Sequence, residues 1–178
     1  MTNSTTTPLG ATIPPDDPNN KLTVANPDDP SLRHISVMGG TYTILVGGEQ
    51  TGGRYCLVDM LVPPGGGPPP HRHDFEEMFT ILEGEFEFTF RGETHRVSAG
   101  STLNVPANAP HSFKNKSDKT ARLLCMCTPA GQEELFLLVG DPVDSRTAPP
   151  PKLSPAEQAE RIARAKSLSA KYRTVLLV

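Results

Sequence analysis

The side chains best equipped for chemistry in this sequence are three histidines and a glutamate in two short blocks. The first block runs Gly65-Gly66-Gly67-Pro68-Pro69-Pro70-His71-Arg72-His73-Asp74-Phe75-Glu76-Glu77. On an extended strand His71 and His73 project to one face, about 6.6–6.8 Å apart along the chain. Two imidazoles at that spacing can converge on one ion at about 2.0–2.2 Å each. Glu77 shares their parity but follows a bend, so it can bring a carboxylate from the next strand. In the second block Pro106 and Pro110 bracket a loop that delivers His111 at the start of another strand. The proline run before His71 restricts the backbone and lowers the entropic cost of fixing the ligands. His34 and His95 stand outside both blocks and are read as non-ligands.

The elements that must position these groups belong to a turn-rich chain of 178 residues, with 19 prolines and 15 glycines. That length supports a single core. Strands are expected over 41–46, 55–62, 78–82, 85–91, 94–97, 102–105, 111–114, 122–127 and 135–139. The clearest is Glu85-Phe86-Glu87-Phe88-Thr89-Phe90-Arg91, whose strict alternation buries one face and wets the other. The glycines from Gly47 to Gly53 lack a following Gly-Lys-Ser/Thr and read as a hairpin loop, not a phosphate cradle. About ten short strands with no helix between them predict a jelly-roll sandwich or barrel.

The two ends have a different character. Residues 1–30 hold six prolines and four aspartates, which predicts a flexible arm, ordered only against a partner. Residues 31–145 form the barrel, and 146–178 a proline-rich linker and a helix. Ser154-Pro155-Ala156-Glu157 is a capping box with proline at the first helical position, so the helix is expected over about 155–172. Glu157 with Arg161 and Glu160 with Arg164 have the favourable i,i+4 order. Ile162, Ala165, Leu168 and Tyr172 make a thin apolar stripe. The apolar tail Val175–Val178 is expected to pack on the barrel or on a neighbouring subunit.

Composition removes several functions. A net charge of −3 offers no basic patch for nucleic acid. No apolar run approaches the roughly 18 residues of a membrane span. The first residues lack a basic and an apolar region, so no secretory signal is expected. The three cysteines, Cys56, Cys125 and Cys127, make a poor disulfide framework and are read as small core hydrophobes. Cys125 and Cys127 fall on one strand face, and a reducing cytoplasm fits best.

Gly-x5-His-x-His-x3-Glu-x6-Gly is matched by Gly65, His71, His73, Glu77 and Gly84. Gly-x5-Pro-x-Gly-x2-His-x3-Asn is matched by Gly100, Pro106, His111 and Asn115, with Asn108 in the glycine place. With these two motifs the sequence resembles the cupin superfamily over about 31–145. The resemblance implies an all-β fold, a double-stranded β-helix (jelly-roll, cupin barrel), here with a C-terminal α-helix. It also implies one metal held inside by His71, His73, Glu77 and His111. Asparagine tolerates the left-handed backbone a turn glycine would supply. Three imidazoles and a carboxylate without thiolate suit Fe, Ni, Mn, Co, Cu or Zn, and ligand type alone does not choose among them.

Four protein ligands leave a position open for O₂ or for polarising a substrate oxygen. By parity Phe79, Ile81 and Phe113 accompany the ligands, with Tyr42, Tyr55 and Met60 as weaker candidates for the substrate pocket. Such a pocket favours an aromatic or hydrophobic small molecule. The order of arm, barrel, proline linker and Ser-Pro-capped helix is similar to single-domain quercetinase-like cupins. In those the metal-bound glutamate is thought to act also as a base, which makes Glu77 both ligand and catalytic base. The leading expectation is a metal-dependent dioxygenase acting on a hydroxylated, flavonol-like aromatic. The alternatives are a redox-neutral lyase or isomerase, and a non-catalytic metal- or ligand-binding cupin. A homodimer is implied as well, with Met78, Thr80 and Leu82 as an apolar outer face.

Overall fold

The alternation in Glu85–Phe90 is realised as written: Phe86 and Phe88 are buried and Glu85 is exposed. The same period-two rule builds most of the molecule. The structure is a computed structural model that describes residues 12–177. The expected arm therefore lies partly outside the described residues, and its described part, from Thr12 to Pro30, carries neither strand nor helix.

The strands are β1 (His34–Val37), β2 (Gly40–Val46), β3 (Cys56–Val62), β4 (His71–His73), β5 (Glu76–Glu83) and β6 (Glu85–Phe90). They continue with β7 (Glu93–Ser98), β8 (Thr102–Val105), β9 (His111–Lys114), β10 (Ala121–Thr128), β11 (Asp141–Pro142) and β12 (Thr174–Leu176). Three helices join them: α1 (Gly48–Thr51), α2 (Gln132–Val139) and α3 (Pro155–Ser169). One sheet has the order β11-β1-β2-β3-β10-β5-β8 and the other β12-β4-β9-β6-β7. All strand pairs are antiparallel.

The sheets close on one core. Phe79 of the first sheet lies 5.3 Å from Phe88 and 5.4 Å from Phe113 of the second, ring centre to ring centre, both edge to face. Phe86 meets Phe113 edge-on at 5.5 Å. Such pairs add about 0.5–1.5 kcal/mol each beyond the area they bury.

Two expectations change, and the hairpin loop at 47–53 is kept with a helical turn inside it. The run Leu135–Val139 is not a strand but the end of α2. An apolar run of five cannot by itself be told from a buried helix segment. Gly131, at φ 133°, breaks the chain before it, and Glu133 and Glu134 sit in the first helical turn, where the dipole favours them. The glycine-rich loop 47–53 contains the single turn α1 between the paired strands β2 and β3. In α3 the capping box forms, with Ser154 accepting from the Glu157 amide and Glu157 accepting from the Ser154 amide. The helix ends at Ser169, Ile162 stays 55% exposed, and Arg161 turns to Asp141 rather than to Glu157.

The tail packs on the barrel by pairing. β12 lies antiparallel to β4, the strand that carries two of the candidate ligands.

Candidate metal centre

β4 alternates as its sequence requires, with His71 and His73 buried and Arg72 exposed between them. A bend at Asp74-Phe75 precedes β5, whose second residue, Glu77, is also buried. β9 opens with His111, which is in register with His71. Three strands thus meet at one point: the candidate donor atoms of His71, His73, Glu77 and His111 all lie within 4.8 Å of one another.

Each imidazole is oriented by its own backbone. The Nδ1 atoms of His71, His73 and His111 lie 2.9 Å from the carbonyl oxygens of Pro69, Phe75 and Ala109. That bond places the proton on Nδ1 and turns the Nε2 lone pair inward, the tautomer a metal needs. The surrounding turns hold this arrangement. Asn108, at φ 65°, donates its amide to the His73 carbonyl at 2.6 Å. Asn115 is a brace, its Nδ2 donating to the carbonyls of Val62 and Lys119.

Glu77 Oε2 lies 2.9 Å from His73 Nε2 and 3.0 Å from His111 Nε2. With Nδ1 donating to a carbonyl, each Nε2 can stay beside a carboxylate oxygen only by carrying a second proton, as imidazolium, or by sharing a cation with it. The spacing is informative: donors bonded at about 2.1 Å and at right angles to each other stand about 3.0 Å apart. The residues therefore fit a single transition-metal ion.

Electrostatics agree. Burial works to raise the Glu77 pKa, but with no ion between them the imidazolium forms of His111 and His73 would outweigh it through their hydrogen bonds and charge, holding the carboxyl well below its usual range. Burial, and next the neighbouring His111, push His71 down to about 4, so it stays neutral. Rings shield the other sides: Phe75 stacks on His73 with centroids 3.9 Å apart, and Phe88 lies parallel to His111 at 6.3 Å.

The remaining sequence-derived candidates are distributed differently. Phe79, Ile81, Phe113 and Met60 are core side chains at or below 4% exposure, and Phe79 and Phe113 belong to the ring cluster. Tyr42 is buried against Phe136, with burial pushing its phenol upward, and Tyr55 is 40% exposed. His34 bonds Thr43 through Nδ1 and the Asp29 carbonyl through Nε2, and it stands apart from the cluster.

A cleft of about 330 Å³ opens at Phe75, the ring stacked on His73, and none of the four candidate ligands lines it. Its other walls include Gln132, Glu134, Lys171, Tyr172 and Arg173. None of these was identified from sequence. Gln132 opens α2, a helix the sequence reading did not expect, and Lys171–Arg173 line the cleft just before β12, which pairs with β4. The sequence also gave no sign that the Cys125 and Cys127 thiols would meet Glu77, beyond their shared face.

The Cupin domain family matches residues 58–127. That span contains all four clustered residues. The chain belongs to the cupin family. Quercetin 2,3-dioxygenase of Bacillus subtilis (strain 168) is 31% identical to this cupin over 109 residues, 61% of this chain. The match spans 32% of that dioxygenase, so the cupin corresponds to about a third of it. A protein of Methanocaldococcus jannaschii is 31% identical over 84 residues, 47% of this chain and 67% of that protein. Among solved structures, a predicted oxalate decarboxylase from Thermotoga maritima superposes with a TM-score of 0.53 at 23% identity, covering 60% of this cupin and 98% of that chain. That likeness is one of fold. Among the described residues no helix is long and apolar enough to cross a membrane.

Proposed function

We infer that this cupin is a mononuclear metalloenzyme whose reaction is the dioxygenation of a hydroxylated aromatic, flavonol-like small molecule. The observation that carries the reading is the spacing of Glu77 Oε2 from two inward-facing imidazole nitrogens, 2.9 and 3.0 Å. His71, His73, Glu77 and His111 would hold the ion. A divalent transition metal there supplies a Lewis-acidic centre with open positions for O₂ or a substrate oxygen.

The protein's own groups do the rest. Phe75 presents an aromatic floor one ring away from His73, suited to a planar substrate. Gln132 is 6% exposed, and its Oε1 has no hydrogen-bond partner among the described residues, so it can accept from a substrate hydroxyl. Lys171 gives the rim a positive charge that favours a phenolate over a phenol. Glu77 is ligand first; to act also as base it would have to release Oε2 from the ion and take the hydroxyl proton there, because Oε1 already accepts from the Cys125 thiol.

Support from relatives is limited to the likeness to the Bacillus dioxygenase over a third of its length. The charged residues at the cleft favour a second reading, a redox-neutral lyase or isomerase acting on a polar substrate. Reconstitution with Fe, Mn, Co, Ni, Cu or Zn, followed by oxygen uptake with flavonols and catechols, separates the two. Uptake with at least one metal, lost in Glu77→Gln, is expected. No uptake with any metal, together with turnover under nitrogen, overturns the dioxygenase in favour of the second reading. The protein would act as a homodimer in a reducing cytoplasm, and gel filtration checks the dimer.

A further inference from the structure

Glu77 has two unlike faces. Oε2 meets imidazole, but Oε1 meets sulfur, with Cys125 Sγ at 3.2 Å and Cys127 Sγ at 3.7 Å. The two sulfurs are 3.7 Å apart. Backbone register creates this arrangement. Cys127 lies opposite Glu77 across β10 and β5, and opposite Cys56 across β10 and β3, so the three side chains form a row over adjacent strands. Cys125, two residues along β10, points the same way. All three cysteines are fully buried.

Cysteine as a small core hydrophobe accounts for the burial. It does not account for convergence on a carboxylate. A thiol is a weak donor, and among the described residues Oε1 accepts from nothing stronger. A buried carboxylate oxygen with so little compensation is costly unless a cation faces it. The distances suit one. Two sulfurs bonded at about 2.3 Å to a tetrahedral ion stand about 3.7–3.8 Å apart. Glu77 Oε1, Cys125 Sγ and Cys127 Sγ also fall within 4.8 Å of one another.

We propose that Cys125, Cys127 and Glu77 Oε1 form a second, sulfur-lined cation site for a thiophilic ion such as Cd(II), Zn(II) or Cu(I). Glu77 would offer one oxygen to each of the two sites. Ligation breaks two S–H bonds, forms two metal–sulfur bonds and releases two protons to solvent, with no change of oxidation state. The site goes beyond the imidazole centre and does not require that centre to be loaded.

The test uses the full chain incubated with excess Cd(II), desalted, and assayed for metal content and for the ultraviolet thiolate-to-cadmium charge-transfer band. Two cadmium ions per chain with the band are expected. The double variant Cys125→Val with Cys127→Val should lose the band and keep one ion, whereas His111→Ala should keep the band and lose one ion. One ion with the band in the native protein supports the sulfur site and counts against the imidazole centre. Absence of the band from the native protein overturns the sulfur site at any stoichiometry. Loss of the band in folded His111→Ala overturns its independence. Because the deciding readout is taken on the native chain, a variant that fails to fold cannot rescue the proposal.

Discussion

β9 and β12 lie on opposite sides of β4, and they hold it in different ways. β9 brings a candidate ligand, His111, but is in register with β4 only at His71. β12 brings no ligand, yet it pairs along the whole strand, Thr174 with His73, Val175 with Arg72 and Leu176 with His71. Further bonds extend that contact: the Leu177 amide donates to the Pro70 carbonyl at 2.9 Å, and the Asp74 amide donates to Arg173. Arg173 and Asp74 form an ion pair at 2.6 Å. One neighbour therefore supplies chemistry, and the other supplies most of the backbone pairing that aims it. The cupin match ends at residue 127, so that support comes from outside the matched segment.

The sharpest way to break this contrast is to remove each neighbour's contribution in turn. His111→Ala should abolish stoichiometric metal binding, weakening it by more than about 100-fold while the barrel stays folded. That loss exceeds the roughly 10–100-fold typical of groups that only orient a ligand. Metal analysis after dialysis, with circular dichroism as the folding control, reads it. Full metal content in this variant would remove His111 from the site.

Ending the chain at Arg173 removes β12 and none of the four candidate ligands. The expected loss in metal affinity is about 10–100-fold, the range for orienting groups, measured by competition with a chromogenic chelator. Unchanged affinity would mean that the polyproline run and the His111 pairing suffice to aim β4. An effect as large as that of His111→Ala would erase the distinction between the two strands.

His71 is where the two neighbours meet, since it pairs with both His111 and Leu176. Burial, and then the nearby His111, lower its pKa from 6.5 to about 4. The unfolded chain thus binds a proton between these values that the fold does not, and stability of the metal-free protein rises with pH across that window. The contribution is complete above about pH 6.5 and is lost as pH falls towards 4, worth about 3 kcal/mol in all. Urea unfolding of native and His71→Gln proteins at pH 7.5 and pH 4.5 isolates it. A difference between the two proteins that does not change with pH would contradict the assignment.

The comparison also explains which parts of the molecule were legible in the sequence. His71, His73, Glu77 and His111 could be read because residue type, parity and the flanking prolines are local signals. The β-strands with strict alternation, such as β6, were legible for the same reason. β12 was seen only as an apolar tail in need of cover, because its partner lies about a hundred positions away and no local pattern encodes that pairing. Leu135–Val139 misled because a short apolar run suits a strand or a helix, and Glu133, whose side chain accepts from the amides of Gly48 and Gly131, settles it through contacts made only in the fold. The cleft was missed for both reasons at once, being lined by Gln132 from α2 and by Lys171–Arg173 before β12.

The smallest effect expected is that of Arg173→Ala, and its smallness is itself the point. The Arg173 and Asp74 side chains are 47% and 49% exposed, so water and salt screen the pair despite its short distance. Exposed pairs of this kind are worth about 0.2–1 kcal/mol. The substitution leaves the backbone bonds between β12 and β4 in place, including the Arg173 carbonyl that accepts from the Asp74 amide. Metal affinity should therefore fall by less than about threefold, far below the effect of removing β12, and the difference should shrink further in 0.5 M salt. If Arg173→Ala matched the truncation, the ion pair rather than the strand pairing would be what aims β4.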